Sequence, residues 1–138
     1  MDYYSQFFDM VGTLARRRYT LAEQQLGALA ITHTEARLLT LLSENGGCCP
    51  QDTLAARVVI DRSNVGRSLK RLEQQAYVTR SKDSNDRRSY IVSLTDQGRT
   101  VQKQVAEVRE NIIAQFCQTL SKQDAKTLVD ILHKSYPE

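Results

Sequence analysis

In the opening segment apolar side chains recur at Tyr4, Phe8, Val11 and Ala15, in steps of four, three and four, with Phe7 and Leu14 widening the stripe. This is the period of an α-helix, and it predicts one that continues through Arg16, Arg17 and Arg18 towards Leu26. Gly27 loosens the chain. Thr32 or Thr34 is placed to cap a second helix bearing Ala36, Leu38, Leu39, Leu41 and Leu42, which Asn45-Gly46-Gly47 ends. Pro50 suits the first turn of a short third helix through Arg57, where its missing N–H would have no partner anyway, and Leu54, Ala55 and Val58 give that helix an inner face. Asp61 is a good N-cap for a fourth helix, Arg62 to about Gln75.

After Tyr77 the period falls to two. Tyr77 to Lys82 and Ser89 to Leu94 read as strands, with Tyr90, Val92 and Leu94 on one face, and Asp83-Ser84-Asn85-Asp86-Arg87-Arg88 between them has the composition of a hairpin tip. Gly47-Cys48-Cys49 can add a short strand beside that hairpin. Thr95 then caps a long helix carrying Val101, Val105, Val108 and Ile112. Ser121 and Asp124 resemble a capping box, with Asp where Glu or Gln is usual, opening a last helix with Leu128, Val129, Ile131 and Leu132. The pattern predicts a mainly α chain with a small β-hairpin.

Composition narrows the classes. With 138 residues, 41% hydrophobic and 25% charged, the chain is expected to be one soluble domain with a useful core. No apolar run approaches the roughly 18 residues of a membrane span, and Met1-Asp2-Tyr3-Tyr4 lacks the flank of a secretory signal, so a cytoplasmic protein is expected. The cysteines, Cys48, Cys49 and Cys117, form neither a zinc pattern nor an even disulfide framework. His33 and His133 lack ligand spacing, and no nucleophile, base and orienting group fall together. An enzyme, a metal and a cofactor are therefore not expected.

Charge changes the picture more. The net charge is only +3, but residues 61–90 hold eight cations against four anions, so the positive excess lies in one central block. On the fourth helix Val65, Leu69 and Leu72 fall within about 60° of one another, whereas Ser63, Asn64, Arg67, Lys70 and Arg71 lie opposite. A short helix, a turn, a donor-rich helix and a hairpin with cations at its tip is the order of a winged helix-turn-helix. Such a helix fits the major groove of double-stranded DNA, and an arginine at the hairpin tip can enter an adjacent narrow minor groove.

The run from Asp61 to Gly98 resembles the core of the MarR family of bacterial transcription regulators. The matching pieces are Asp61-Arg62-Ser63, the Leu69, Leu72 and Glu73 helix end, Tyr77-Val78, the wing motif of Asp83, Asp86, Arg87 and Arg88, and Leu94-Thr95 with Gly98. The resemblance implies residues 34–96 as a winged helix-turn-helix lobe and residues 1–30 and 100–138 as dimerisation helices, forming a homodimer on a pseudopalindromic operator. It implies DNA contacts from Ser63, Asn64, Arg67, Lys70 and Arg71 on the recognition helix. At the wing it implies Arg88 as the tip arginine, oriented by Asp86, with Arg87 and Lys82 on phosphate. The sequence departs from the usual pattern at Pro50, where Ser or Thr is common, and at Val59, where Gly is frequent; both bear on the limits of the third helix.

Other readings stay open at this point. The terminal apolar stripes either pair across a two-fold axis or close the protomer's own core. Cys48 and Cys49 could make a thiol-based redox sensor, although cysteine also serves as a small apolar residue, and Cys117 reads as packing. A small aromatic or anionic effector could release the operator, with Tyr3, Tyr4 and Tyr19 as candidate pocket residues and the Arg16 to Arg18 run as an anion contact. A winged-helix adaptor that does not bind DNA is the remaining alternative. Repression is the expected sign of regulation.

Overall fold

The structure, a computed structural model, describes residues 2–58 and 62–136, with Arg62 and Ser63 described by their backbone alone. Its elements in chain order are α1 (Tyr3–Gly27), α2 (His33–Glu44), β1 (Cys48–Pro50), α3 (Gln51–Val58), α4 (Arg62–Gln74), β2 (Val78–Lys82), β3 (Tyr90–Leu94), α5 (Asp96–Phe116) and α6 (Lys122–Ser135). The Asp61 cap falls outside the described residues.

Local chemistry sets most of these limits. The Asp2 carboxylate accepts from the Ser5 N–H and starts α1, a cap absent from the expectations above. Thr32 caps α2, and Glu35 returns the bond to the Thr32 N–H, so the first turn closes on itself. Ser121 and Asp124 do the same for α6. Helix α2 ends where the Gly47 N–H reaches back to the Leu42 carbonyl, with Gly46 and Gly47 both at positive φ.

Pro50 does not sit in the first turn of α3. It is the last residue of β1 and pairs with Ile91, and α3 begins one residue later. An edge strand tolerates proline because its outer face needs no donor. The strands are also one residue shorter at their starts than expected. Both are antiparallel to their neighbour, in the order β1-β3-β2, with Cys49 opposite Val92 and Arg80 opposite Val92 on the other side.

The core joins α2, α4, the sheet and the start of α5. Leu38, Leu39, Leu41, Leu42, Leu54, Leu69, Leu72 and Val92 are fully buried there, and Val101 and Val105 extend it along α5. Burial of each such side chain contributes about 1.5–3 kcal/mol. The terminal helices behave differently. Leu26 is the buried residue of α1, and α6 buries none. Tyr4 is 89% and Phe8 78% exposed, while Val11, Leu14, Leu128, Ile131 and Leu132 also face outward. The stripe read as helical is helical, but the protomer leaves it open.

Candidate nucleic-acid interface

Helix α4 turns Val65, Leu69 and Leu72 into the core, which places Arg67 and Lys70 on its exposed side. Asn64 is half-buried. The side chain of Ser63 lies outside the described residues. Asn64, Arg67 and Arg71 border a cleft of about 290 Å³ against Thr32, Thr34 and Glu35 at the start of α2. Helix α4 therefore offers its polar face beside the N-terminus of its neighbour.

The exit from α4 is built to hold the wing. The Tyr77 N–H bonds the Leu72 carbonyl and the Ala76 N–H that of Glu73, with Ala76 left-handed at φ 64°. Thr95, at the far end of the hairpin, closes the same turn: its hydroxyl donates to the Ala76 carbonyl at 2.6 Å and its N–H to that of Tyr77 at 3.1 Å. The hydroxyl also accepts from the Gly98 N–H and so caps α5. A Cβ on Gly98 would overlap the Tyr77 carbonyl oxygen. The sequence motif Leu94-Thr95 with Gly98 is thus one joint binding helix, hairpin and helix.

At the wing tip the Asp83 carboxylate accepts from the Asn85 N–H and the Asp86 carboxylate from the Arg88 N–H. The Asp83 N–H also bonds the Ser89 carbonyl. Two short side chains thereby fold the tip. Asp86, expected to orient Arg88, holds the Arg88 backbone through this bond. Lys82, Arg87 and Arg88 are exposed.

Ion pairs sort the cations of the central block. Arg80 bonds Glu73 at 3.3 Å and Gln51 at 3.5 Å and lies 5.7 Å from the centre of the Tyr90 ring. Arg71 donates to the Ala30 carbonyl at 3.3 Å and lies 3.6 Å from the Glu35 carboxylate. Among the described residues, Arg67, Lys70, Lys82, Arg87 and Arg88 have no ion-pair partner. Within this block, the described cations left free of ion pairs are those on the outer face of α4 and on the hairpin. Sequence reasoning missed the internal use of Arg80 and Arg71, because their partners are remote in the chain.

The cysteines diverge. Adjacent residues of β1 point to opposite faces: Cys48 is exposed and Cys49 is buried against the core. Burial, followed by the neighbouring Cys48, pushes the Cys49 thiol above its ordinary range. Tyr19 stacks on His33 at 3.9 Å between ring centroids, while Tyr3 and Tyr4 stand exposed. Neither the cleft at α4 nor a second of about 380 Å³ between Gln75, Tyr77 and α5 is lined by these tyrosines. Among the described residues no acidic, cysteine and histidine cluster could hold a metal, and no helix is long and apolar enough to cross a membrane.

Known proteins resemble this arrangement. Residues 31–90 match the MarR family. The uncharacterised HTH-type transcriptional regulator YwhA of Bacillus subtilis is 28% identical over 75% of this chain and 74% of its own. A probable transcriptional regulator from Pseudomonas aeruginosa superposes with a TM-score of 0.81 at 26% identity, covering 96% of this chain and 98% of its own. A cysteine-to-serine variant of Escherichia coli MarR, complexed with operator DNA, superposes with a TM-score of 0.82 over 99% of this chain and 100% of its own. At 21% identity, that last likeness shows the fold alone.

Proposed function

We propose that this chain, whose residues 31–90 match the MarR family, acts as a homodimeric, sequence-specific binder of double-stranded DNA that represses transcription from a pseudopalindromic operator. One observation carries the reading: within the basic block of residues 61–90, the described cations without an ion-pair partner lie on the outer face of α4 and on the hairpin, the two places where a winged helix meets a duplex. In this reading α4 enters the major groove, with Asn64 and Arg67 reaching base edges and Lys70 a phosphate. Arg88 enters the adjacent minor groove, and Lys82 and Arg87 hold phosphates on either side. Ser63 completes the set at the start of the helix.

The open apolar faces of α1 and α6 support the dimer, since two such faces brought together bury side chains that the protomer leaves in water. Residues 1–30 and 100–138 then form the dimerisation region and residues 34–96 the DNA-binding lobe. Two α4 helices about 34–36 Å apart read successive turns of one DNA face. Release by a small aromatic or anionic effector would work by changing that separation.

Salt titration tests the reading. Affinity for duplexes from the protein's own upstream region is expected to fall with a log–log slope of roughly −0.9 per phosphate neutralised. A winged-helix adaptor would show no such dependence, and failure to retain any of these duplexes at physiological salt would overturn the proposal.

A further inference from the structure

By its position on α4, Arg71 belongs with the DNA-facing donors, but its guanidinium, 51% exposed at the side chain, is also engaged by the protein itself. One nitrogen donates to the carbonyl of Ala30 at 3.3 Å, and another lies 3.6 Å from the Glu35 carboxylate. Ala30 is the left-handed residue that follows α1, with φ 54°, so its carbonyl marks the point where that helix ends. Glu35 stands in the first turn of α2 and is 1% exposed. One of its oxygens serves the Thr32 N–H in the capping box, and the other has no hydrogen-bond partner among the described residues. A carboxylate buried to that degree is stabilised by a neighbouring cation, and Arg71 is the one paired with it among the described residues.

One side chain therefore ties the last turn of α4 to the end of α1 and the start of α2. Helix α1 carries one of the open apolar faces assigned above to the dimer. We infer that Arg71 is a positioning residue, fixing the separation of the two α4 helices through Ala30 and Glu35 rather than binding phosphate. The inference rests on the DNA-binding dimer of the preceding section. It also divides the donor face: Arg67 and Lys70 read the duplex, and Arg71 sets where they stand.

A spacing profile tests it. The probe is the inverted-repeat duplex that the wild-type protein enriches from a random-sequence pool, together with versions lengthened or shortened at the centre by one base pair. Each is titrated at several salt concentrations. Wild-type protein is expected to lose roughly tenfold in affinity on the altered spacings. Arg71→Met should compress that difference to about threefold or less while keeping the wild-type salt slope. The double variant Glu35→Gln with Arg71→Met leaves no unpaired buried charge, so it keeps the test open if the single variant fails to fold; it should show the same compressed profile. A salt slope reduced in magnitude by roughly 0.9, with the spacing preference intact, would make Arg71 a phosphate ligand and overturn the inference alone. No enrichment by the wild-type protein would overturn the DNA-binding reading first and this inference with it.

Discussion

Gly98, in the first turn of α5, lies against the carbonyl oxygen of Tyr77 so closely that no side chain fits between them. The same carbonyl accepts from the Thr95 N–H, so the contact cannot widen without loosening the cap of α5 and the turn that leaves α4. Gly98→Ala is therefore expected to destabilise the protein by about 3 kcal/mol, measured by urea unfolding. A cost below about 0.5 kcal/mol would mean the joint yields easily.

Ala30 and Ala76 occupy left-handed conformations, at φ 54° and 64°, that a Cβ disfavours. Each follows a helix in the position where glycine is common. Ala30→Gly and Ala76→Gly should each stabilise by about 0.5–1 kcal/mol, the relief of strain exceeding the added chain entropy of glycine. A fall in the unfolding midpoint for both would contradict this.

Free and engaged cations should separate in DNA binding. Arg67→Ala is expected to cost about 1–3 kcal/mol and relax preference at one base position, whereas Arg88→Ala should cost most where the flanking minor groove is narrow. Arg80→Ala, which removes a contact with Glu73 and Tyr90, should lower thermal stability and leave the salt slope unchanged. Equal losses on all sequences for the first two variants would refute the division between helix and wing.

Phe8→Glu and Ile131→Glu place charge on faces already exposed in the protomer. Neither should disturb the fold of the single chain, but both should shift sedimentation from a dimer to one chain. Dimeric sedimentation by both variants would locate the pairing elsewhere.

Cys48 and Cys49 should differ in reactivity. Iodoacetamide at neutral pH is expected to label Cys48 and spare Cys49, because the raised range of the buried thiol leaves less thiolate than an ordinary cysteine has. Labelling of Cys49 should grow only as pH climbs beyond the usual thiol range or as the protein unfolds. Peptide mass spectrometry distinguishes the two. Rapid modification of Cys49 in the folded protein would revive the redox reading.

Where a signal is local, the sequence carries it. Ser121 with Asp124 announces its helix because cap and partner are three residues apart, and of the two candidate caps for α2 the structure selects Thr32, which Glu35 answers at the same spacing. The inward stripe of Val65, Leu69 and Leu72 is equally plain, since helical period alone decides it. Pairings across the chain are not announced. Arg71 meets Ala30 at a sequence separation of 41 residues and Arg80 meets Gln51 at 29, and in composition both look like free surface charge. Pro50 was misplaced for a related reason: whether a proline opens a helix or ends an edge strand depends on whether a partner strand passes beside it. The exposed stripes of α1 and α6 look like core in the sequence because an unpaired apolar face and a buried one share the same periodicity.

Helix α6 buries no side chain within its own protomer. If its apolar face is satisfied only by a second copy, association and unfolding are linked by mass action, and the melting temperature should rise with protein concentration. Copy number would then influence occupancy twice, through the amount of regulator available to the operator and through the fraction of chains that remain folded.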